Sequence, residues 1–344
     1  MTRALQLAKL AHGTARPNPM VGAVIVHENK IIGEGYTSPY GHSHAEVNAV
    51  NAVKNKSLLK KSTLYVILEP CCHHGKTPPC SDMILRYKIP RVVIGCKDTN
   101  EKVDGGGIKR LNDGGCEVIF GVLEKECRKQ LKRFFTYHEK KRPYILLKWA
   151  QTTNGFIAPK HREINRPVWI SDDYSRQLVH KQRVEEQAIL VGKNTVLEDN
   201  PYLNVRHWIG THPTKVIIDK NLSVDLNKSV FNEEANCIVF HSNNIQPKHK
   251  KTNIFYEALV WNNYQDVLIQ ICERLHKYKI TSIIIEGGSI TIQSFIDSGH
   301  WDEAQILIGQ SSFEDGIKAP KLNTDQCLRR QLKNDTLITI YNES

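Results

Sequence analysis

The stretches HAEVNA (44–49) and LEPCCHHGKTPPC (68–80) concentrate histidine, glutamate and cysteine where predicted secondary structure begins or ends. The first opens a segment with helical apolar spacing, and the second closes a buried strand. Inside a helix, side chains at i and i+2 point about 200° apart, so His44 and Glu46 face one site only beyond the helix end. Cys80 also starts a predicted helix, whose dipole would favour its thiolate. The stretches therefore predict two helix N-termini facing a common site.

The order of these residues matches the pattern of zinc-dependent deaminases, H-x-E followed by a proline–cysteine pair and a second cysteine. In that pattern one histidine and two cysteines bind zinc, and the fourth tetrahedral position is left for water, whose pKa the metal lowers to about 7. His44, Cys71 and Cys80 are the predicted metal ligands, and Glu46 is the predicted proton shuttle. Each cysteine alone would be read as a small buried hydrophobic residue. The combination indicates a catalytic metal site.

The spacing of the two cysteine ligands departs from the common pattern. Usually two residues separate them, which places both thiolates in one turn. Here the loop CHHGKTPP (72–79) intervenes. Its polar content indicates contact with substrate, and Lys76 is a point charge suited to a phosphate.

Composition and length describe an ordinary two-domain protein. The chain has 344 residues, of which 40% are hydrophobic and 24% charged. We expect a cytoplasmic protein, because there is neither an apolar run of about 20 residues nor a signal-peptide pattern. Nine scattered cysteines then indicate reduced thiols or metal ligands. The net charge of +11 suits a polyanion or a phosphorylated substrate, but lysine runs without interleaved aromatics favour a solvated face over a nucleic-acid groove.

Strand and helix patterns alternate along the chain, as in layered α/β proteins. The charged stretch YHEKKRP (137–143) resembles a linker, so we predict domains at 1–140 and 144–344. Strands are predicted at 21–26, 30–36, 62–70, 91–98, 116–121, 144–150, 188–192, 215–219, 236–242, 282–288, 304–309 and 336–341. Helices are predicted in the N-terminal segment and at 44–54, 81–88, 107–115, 125–138, 171–184, 264–277 and 289–298.

The second half carries weaker functional signals. IIIEGGSIT (283–291) is a strand that runs into two glycines and a helix start, where backbone N–H groups can bind a phosphate. VGKNTVLEDNPYLNVR (191–206) ends in a polar, turn-rich run, and in VWIS (168–171) a tryptophan precedes a helix. No G-x-G-x-x-G follows a strand, so a dinucleotide fold of the Rossmann type is not predicted.

These motifs together resemble the bifunctional deaminase/reductase family of riboflavin biosynthesis. PNPMVGAVIV (17–26), HAEVNA, LEPCCHHGKTPPC and DTNEKVDGGGIKRL (98–111) are similar to its deaminase half, in which the long loop between cysteine ligands is characteristic. The three clusters of the second half are similar in order and spacing to its reductase half. The resemblance implies an N-terminal cytidine-deaminase-like three-layer α/β/α domain with zinc. It also implies a C-terminal dihydrofolate-reductase-like α/β domain with NADPH.

The resemblance also implies roles for individual residues. Zinc would bind His44, Cys71 and Cys80, with Glu46 as proton shuttle. The implied substrate contacts are Asn18, Lys76, Asp98 and Asn100 in the first half and Arg183, Leu203, Arg206 and Glu286 in the second. The implied cofactor contacts are Ala150, Trp169, Thr195, Asp199, Gly288 and Ser289.

By this resemblance, the first domain deaminates 2,5-diamino-6-(5-phosphoribosylamino)pyrimidin-4-one at the 2-amino carbon. The second then transfers hydride from NADPH to C1′ of the ribose, a step for which no acid is evident in the sequence. The expected partner is a small phosphorylated pyrimidine, with no nucleic acid and no membrane, and the family implies a homo-oligomer.

The chain departs from the family pattern in several places. Cys72 stands where serine is usual, and Thr37 where a histidine often lies near the substrate phosphate, a contact that His42 would replace. Asn154 replaces the usual aspartate of the turn after the first strand of the reductase half, and HREINRP (161–167) replaces a stretch rich in glycine and serine.

Two other functions fit part of the sequence. A tRNA or other nucleic-acid deaminase would suit the positive charge, but it needs no NADPH domain and usually keeps the short cysteine spacing. A non-catalytic zinc module would make Glu46 dispensable.

Overall fold

The computed structural model describes residues 1–75, 78–100, 103–160, 168–248 and 251–342. They form two compact units, Met1–Lys141 and Arg142–Ser344. In these ranges, no helix combines the length and the apolar composition needed to cross a bilayer. Lys76 and the segment 161–167 lie outside the described residues.

In the first unit, a sheet is combined with short helices. Its strands are β1 (Gly22–His27), β2 (Lys30–Tyr36), β3 (Thr63–Leu68), β4 (Arg91–Cys96) and β5 (Glu117–Phe120). Its helices are α1 (Thr2–Ala8), α2 (Ala45–Ala52), α3 (Cys80–Arg86), α4 (Gly106–Asp113), α5 (Glu124–Gln130) and α6 (Lys132–Glu139), with short 3-10 helices at Lys9–Ala11 and Lys56–Lys61.

The strands of this unit pair in the order β2-β1-β3-β4-β5. β1 is antiparallel to both of its neighbours, whereas β3, β4 and β5 are parallel. Glu28 and Asn29 join β1 to β2 with φ values of 47° and 61°, the left-handed conformation of a two-residue hairpin turn. The predicted hairpin at this point is confirmed.

Helix α2 packs directly on the backbone of β2. A Cβ atom at Gly35 would lie only 2.4 Å from the Ala45 carbonyl oxygen and 2.4 Å from the Ala49 nitrogen. A Cβ at Gly33 would lie 2.3 Å from the Ala49 carbonyl oxygen. Because glycine leaves this space empty, the helix approaches the strand without an intervening layer of side chains. This close contact fixes the position of the helix N-terminus relative to β2.

The single helix predicted at 125–138 is wrong. The chain instead forms α5 and α6, which are separated at Leu131, where φ is −98° and ψ is 18°. Leu131 is buried in the core of the unit together with Cys127 and Phe135. Neither glycine nor proline marks the break, so the sequence carries no local signal for it.

The second unit is built around a larger sheet. Its strands are β6 (Tyr144–Gln151), β7 (Phe156–Pro159), β8 (Ala188–Gly192), β9 (Thr214–Ile218), β10 (Cys237–Ser242), β11 (Ile254–Leu259), β12 (Ser282–Glu286), β13 (Glu303–Ile308), β14 (Gly316–Lys318), β15 (Leu328–Gln331) and β16 (Thr336–Tyr341). Its helices are α7 (Asp173–Glu185), α8 (Lys193–Asp199), α9 (Tyr264–Lys277) and α10 (Ser289–Asp297), with a 3-10 helix at Ser229–Phe231.

The main sheet has the order β11-β10-β9-β8-β12-β6-β13-β16-β15, and β7 pairs with β14 separately. The strands from β11 to β13 are parallel, and β16 and β15 are added in antiparallel orientation. β12 therefore lies in the middle of the sheet, between two strands that precede it in the chain. In open parallel sheets, ligands bind beyond the carboxyl ends of such strands.

Several elements of this unit are missed by sequence patterns. α8 has no apolar stripe, and its buried residue is Val196 alone. β15 reads Leu-Arg-Arg-Gln with every side chain exposed, so it lacks the alternation that marks a strand. β7, β11 and β14 were not predicted either, because these strands are short or flanked by polar residues.

Candidate active sites

The side chains of His44, Cys71 and Cys80 meet in the first unit. One ligand atom from each lies within 4.8 Å of the others. Nδ1 of His44 lies 3.6 Å from Sγ of Cys71 and 3.4 Å from Sγ of Cys80. The structure thus brings the three predicted ligands together.

Two helix starts and one strand end position this cluster. His44 is the N-cap of α2, Cys80 is the first residue of α3, and Cys71 follows β3. The backbone N–H of Cys80 donates a hydrogen bond to Sγ of Cys71 at 3.3 Å, and that of Ser81 donates to the Cys71 carbonyl at 3.1 Å. The first turn of α3 therefore holds the segment that follows β3.

The cluster fits a zinc ion. Zn–N and Zn–S distances of about 2.0 and 2.3 Å in a tetrahedral complex place nitrogen and sulfur about 3.5 Å apart. The two measured nitrogen–sulfur distances lie on either side of that value. One histidine and two cysteines leave a fourth position for water or substrate, which is typical of a catalytic zinc site.

The protonation of the two thiols differs from the sequence-based expectation, which assigned the favoured thiolate to Cys80. Hydrogen bonds from Cys80 and His44 lower the pKa of Cys71 to about 4. The hydrogen bond to Cys71 and burial raise the pKa of Cys80. The Cys71 hydrogen bond also raises the pKa of His44 to about 9. Because metal ligands are deprotonated, metal binding here releases protons.

Glu46 lies beside the cluster in the first turn of α2. Its side chain is buried, and burial raises its pKa to about 6. It also hydrogen-bonds with the thiol of Cys80. A carboxyl group with a pKa near neutrality can both accept and return a proton, as a general acid–base residue must.

The predicted substrate residues of this unit lie on two loops. Asp98 and Asn100 follow β4, and Oδ1 of Asp98 accepts a hydrogen bond from the Asn100 N–H at 2.7 Å. Burial raises the pKa of Asp98 to about 7. Asn18 is half-buried ahead of β1, and Lys76 lies outside the described residues.

The Thr37 side chain makes hydrogen bonds with the segment that follows Asn18. Its hydroxyl accepts a hydrogen bond from the Val21 N–H at 3.0 Å and donates one to the Pro19 carbonyl at 3.1 Å. The side chain is buried, whereas His42 is exposed. Thr37 therefore fixes the segment that enters β1 rather than offering a free group to a phosphate.

Metal content gives a direct test of the cluster. We expect wild-type protein to hold a single zinc ion per chain and Cys80→Ala to lose most of it, because two remaining ligands bind zinc weakly. Cys72→Ala is the matched control, since this neighbouring cysteine is outside the cluster. Elemental analysis after dialysis measures both. Full zinc in Cys80→Ala, or loss of zinc in Cys72→Ala, would contradict the ligand set.

The second unit contains a cavity of about 1450 Å³ at the carboxyl ends of the central strands. Every residue that the resemblance implicates in this unit lines it. They are Ala150, Trp169, Arg183, Thr195, Asp199, Leu203, Arg206, Glu286, Gly288 and Ser289.

A buried ionic cluster occupies the wall of the cavity. Glu286, at the end of β12, accepts a hydrogen bond from Nζ of Lys148 at 2.7 Å and one from a terminal nitrogen of Arg183, also at 2.7 Å. Lys148 is its register partner on β6, and Arg183 comes from α7. Burial alone would raise the pKa of Glu286, but the two cations lower it well below its ordinary value. Glu286 is therefore ionised.

Glu286→Gln is expected to lower the free energy of unfolding by about 3–5 kcal/mol at neutral pH, because it leaves two buried cations without their partner. Since the native pKa is depressed, this stabilisation is present above the ordinary glutamate pKa of 4.5 and is lost as the pH falls further. Denaturant unfolding at several pH values measures it. The difference between wild type and variant should shrink below pH 4.5.

Asp315→Asn is the control for this experiment, because Asp315 pairs with Lys160 at an exposed position of the same unit. We expect little change in stability from this variant. A Glu286→Gln variant as stable as wild type at neutral pH would contradict the stabilising role of the cluster.

Two arginines, Arg183 and Arg206, line the cavity. Arg183 binds the Asn204 carbonyl through one terminal nitrogen, and its buried Nε has no hydrogen-bond partner among the described residues. Nδ1 of His180 accepts the backbone N–H of Arg206 at 3.1 Å. Burial and the adjacent Arg183 lower the pKa of His180 to about 3, so it stays neutral and able to accept. Guanidinium groups in general bind phosphates through paired N–H donors, which is the role that the resemblance implies for Arg183 and Arg206.

The glycine turn after β12 faces α8. The Gly288 N–H donates a hydrogen bond to Oγ1 of Thr195 at 2.9 Å. Gly287 has φ of 115°, and a Cβ there would lie 2.9 Å from the same oxygen. The turn leads into α10, whose first N–H groups are suited to a phosphate. Nearby, Trp169 is half exposed, with the Arg176 guanidinium 4.7 Å from its ring centre.

Sequence analysis missed two residues of these sites. Lys148 is the one charged residue in the apolar strand YILLKWA. A lysine in a buried strand is usually paired with an acidic side chain, and that was the available signal. Glu69, in the motif LEPCC, is buried and accepts hydrogen bonds from backbone groups around Asp98. Its position two residues before a metal ligand was the available signal.

Comparisons with known proteins assign each half to a family. Residues 1–96 match the model of the cytidine and deoxycytidylate deaminase zinc-binding region. Residues 143–311 match the model of the RibD C-terminal domain. These matches confirm the predicted fold class, a cytidine-deaminase-like domain followed by a dihydrofolate-reductase-like domain.

Whole-length relatives extend the match. The chain is 40% identical over 320 residues to riboflavin biosynthesis protein RibD of Aquifex aeolicus, covering 92% of this chain and 88% of that protein. It is 31% identical to RibD of Escherichia coli, with 90% and 86% covered. The crystal structure of a diaminohydroxyphosphoribosylaminopyrimidine deaminase/5-amino-6-(5-phosphoribosylamino)uracil reductase from Thermotoga maritima superposes with a TM-score of 0.87, at 35% identity, and covers 99% of this chain and 97% of that one. The chain belongs to the RibD family of riboflavin biosynthesis proteins.

Proposed function

We propose that the chain catalyses two consecutive steps of riboflavin biosynthesis. The unit Met1–Lys141 deaminates 2,5-diamino-6-(5-phosphoribosylamino)pyrimidin-4-one by hydrolysis, with zinc. The unit Arg142–Ser344 reduces the ribosyl side chain of the product to ribityl, with NADPH. Family membership favours this function over a nucleic-acid deaminase, which needs no counterpart of the domain at 143–311.

One observation carries the proposal: a cluster of metal-ligating residues and a large cavity at a sheet edge occur in one chain of this family. A ligand cluster with a buried glutamate lies in the first unit. In the second, a cavity is lined by all ten residues expected to contact cofactor and substrate. A non-catalytic zinc module would explain neither the buried Glu46 nor the cavity.

In the deamination, residues of the first unit hold the substrate and move a proton. His44, Cys71 and Cys80 would hold the zinc ion, which would supply a Lewis acid for the activation of water. Glu46 takes one proton from the attacking water and gives it to the ring nitrogen. It then carries the remaining hydroxyl proton to the amine, which leaves as ammonia as C2 becomes a carbonyl carbon. By the family resemblance, Asp98, which follows β4, contacts the substrate.

In the reduction, the ionic cluster of the second unit supplies a proton. NADPH provides the hydride that C1′ accepts. As the bond between C1′ and the ring oxygen breaks, that oxygen needs a proton, and Nζ of Lys148 is an ammonium group in the cavity wall, held by Glu286. Arg183 and Arg206 bind the substrate phosphate.

A two-step assay on one preparation tests the proposal. Incubation with the diaminopyrimidine nucleotide should release ammonia, and NADPH should then be oxidised in equal amount. Ammonia without NADPH oxidation would overturn the reductase assignment. Neither reaction, in protein with full zinc content, would overturn the proposed function as a whole.

We also propose that the enzyme is a cytoplasmic homo-oligomer acting on a small phosphorylated substrate, as the family resemblance implies. Sedimentation of the purified protein measures its oligomeric state. A monomer at assay concentrations would contradict that part of the proposal.

A further inference from the structure

The carboxylate of Glu69 accepts hydrogen bonds from three backbone N–H groups in the loop after β4 and in the first turn of α4. Its Oε2 accepts hydrogen bonds from Asp98 at 3.1 Å and from Gly105 at 3.2 Å. Its Oε1 accepts one from Ile108 at 3.0 Å. The side chain is buried, with 3% of its surface exposed. Hydrogen bonds to a charged acceptor are among the strongest in proteins, so this contact fixes both ends of the loop.

The same carboxylate completes the start of α4. Gly105 is the N-cap of this helix, and Ile108 lies in its first turn, where N–H groups lack partners within the helix. A Cβ at Gly107 would lie 2.0 Å from the Pro70 carbonyl oxygen. The helix therefore begins in direct contact with the Glu69–Pro70 segment, which leads into the metal ligand Cys71.

Glu69 thus joins the metal segment to the loop of Asp98 and Asn100. Oδ1 of Asp98 receives the Asn100 N–H, and the Asn100 carbonyl accepts the N–H groups of Val103 and Asp104. The loop consequently has internal hydrogen bonds, and Glu69 attaches it to the segment after β3. A helix cap alone would require only the contacts at Gly105 and Ile108. The bond to Asp98 extends beyond that role.

We infer that Glu69 is a positioning residue for deamination, which holds Asp98 and Asn100 at a fixed distance from the metal ligands so that they receive the pyrimidine. The inference rests on the proposed deamination function. Glu69 itself touches neither the substrate nor the reacting atoms. Its effect is on how well the substrate binds.

Glu69→Gln tests this role, because an amide nitrogen replaces one oxygen and cannot accept from the N–H it faces. We expect the KM for deamination to rise roughly 10- to 100-fold and kcat to change less than about threefold. Zinc content and NADPH oxidation with deaminated substrate should stay at wild-type values. Hydrogen exchange at the amides of Asp98, Gly105 and Ile108 should become faster than in wild type.

Glu117→Gln is the matched control, since Glu117 pairs with Arg91 at an exposed position of the same unit. It should change none of these values. Glu69→Asp serves if the glutamine variant folds poorly, because it keeps the charge but is too short to reach all three N–H groups. We expect an intermediate KM from it.

An unchanged KM in both Glu69 variants would overturn the inference. So would a lower kcat at unchanged KM, or a loss of zinc, since Glu69 would then act on chemistry or on the metal instead of on substrate binding. If wild-type protein releases no ammonia, the proposed function fails instead. The hydrogen-exchange comparison then still decides whether Glu69 holds the loop.

Discussion

Glu46→Gln is expected to lower kcat for deamination by roughly 10²- to 10⁴-fold, the usual contribution of a general acid–base residue. Glutamine has the same shape but cannot carry the proton between water, ring nitrogen and leaving amine. Burial already raises the pKa of Glu46 to about 6, so the site tolerates a neutral side chain there. Ammonia release at saturating substrate measures the loss, and elemental analysis of the same sample measures zinc.

Two controls separate this effect from misfolding. Glu34→Gln removes an exposed carboxylate that pairs with Arg3 in the same unit, and it should deaminate normally. The Glu46 variant should also oxidise NADPH at the wild-type rate when it is supplied with deaminated substrate. Ammonia release at the wild-type rate with zinc retained would show that Glu46 is not the proton shuttle.

Lys148→Met is expected to lower the rate of NADPH oxidation by roughly 10²- to 10⁴-fold, because the proton donor for the ring oxygen is lost. Methionine preserves most of the side-chain volume, and Glu286 keeps its contact with Arg183. NADPH oxidation with deaminated substrate measures the effect. Deamination by the same variant should be unchanged.

Lys181→Met is the matched control for this variant. Lys181 lies on α7 and pairs with Glu185 in a partly buried i,i+4 arrangement outside the cavity lining. NADPH binding by fluorescence should be near wild type in both variants, which assigns the loss in Lys148→Met to the chemical step. A normal rate of NADPH oxidation in Lys148→Met would show that Lys148 is not the proton donor. The reduction would then depend on the positioning of substrate and cofactor alone.

The first site was largely predictable because its residues lie where helices begin and where a strand ends. His44 and Cys80 mark helix starts, and Cys71 follows the end of a strand, features that sequence patterns report well. The unusual spacing of the cysteines was also visible in the sequence. The opposite pKa shifts of Cys71 and Cys80 could not be predicted from the sequence, because they depend on short-range hydrogen bonds and on unequal burial.

The second site was predictable only through family resemblance. Lys148 and Glu286 are 138 positions apart and become neighbours because β12 inserts beside β6 in parallel register. Apolar periodicity identifies both strands but gives neither their order in the sheet nor their register. Glu69 was missed for a similar reason, as its three partners lie 29 to 39 positions further along the chain.

The glycines beneath α2 restrict how this enzyme can evolve. With no side chain at Gly33 or Gly35, the helix lies backbone against backbone on β2. Any larger residue there would lift the whole helix, and would carry His44 and Glu46 away together. The predicted metal ligand and the predicted proton shuttle are thus expected to keep their relative positions during evolution. A change of substrate is therefore expected to come through the loops opposite this helix, where single replacements leave that pair undisturbed.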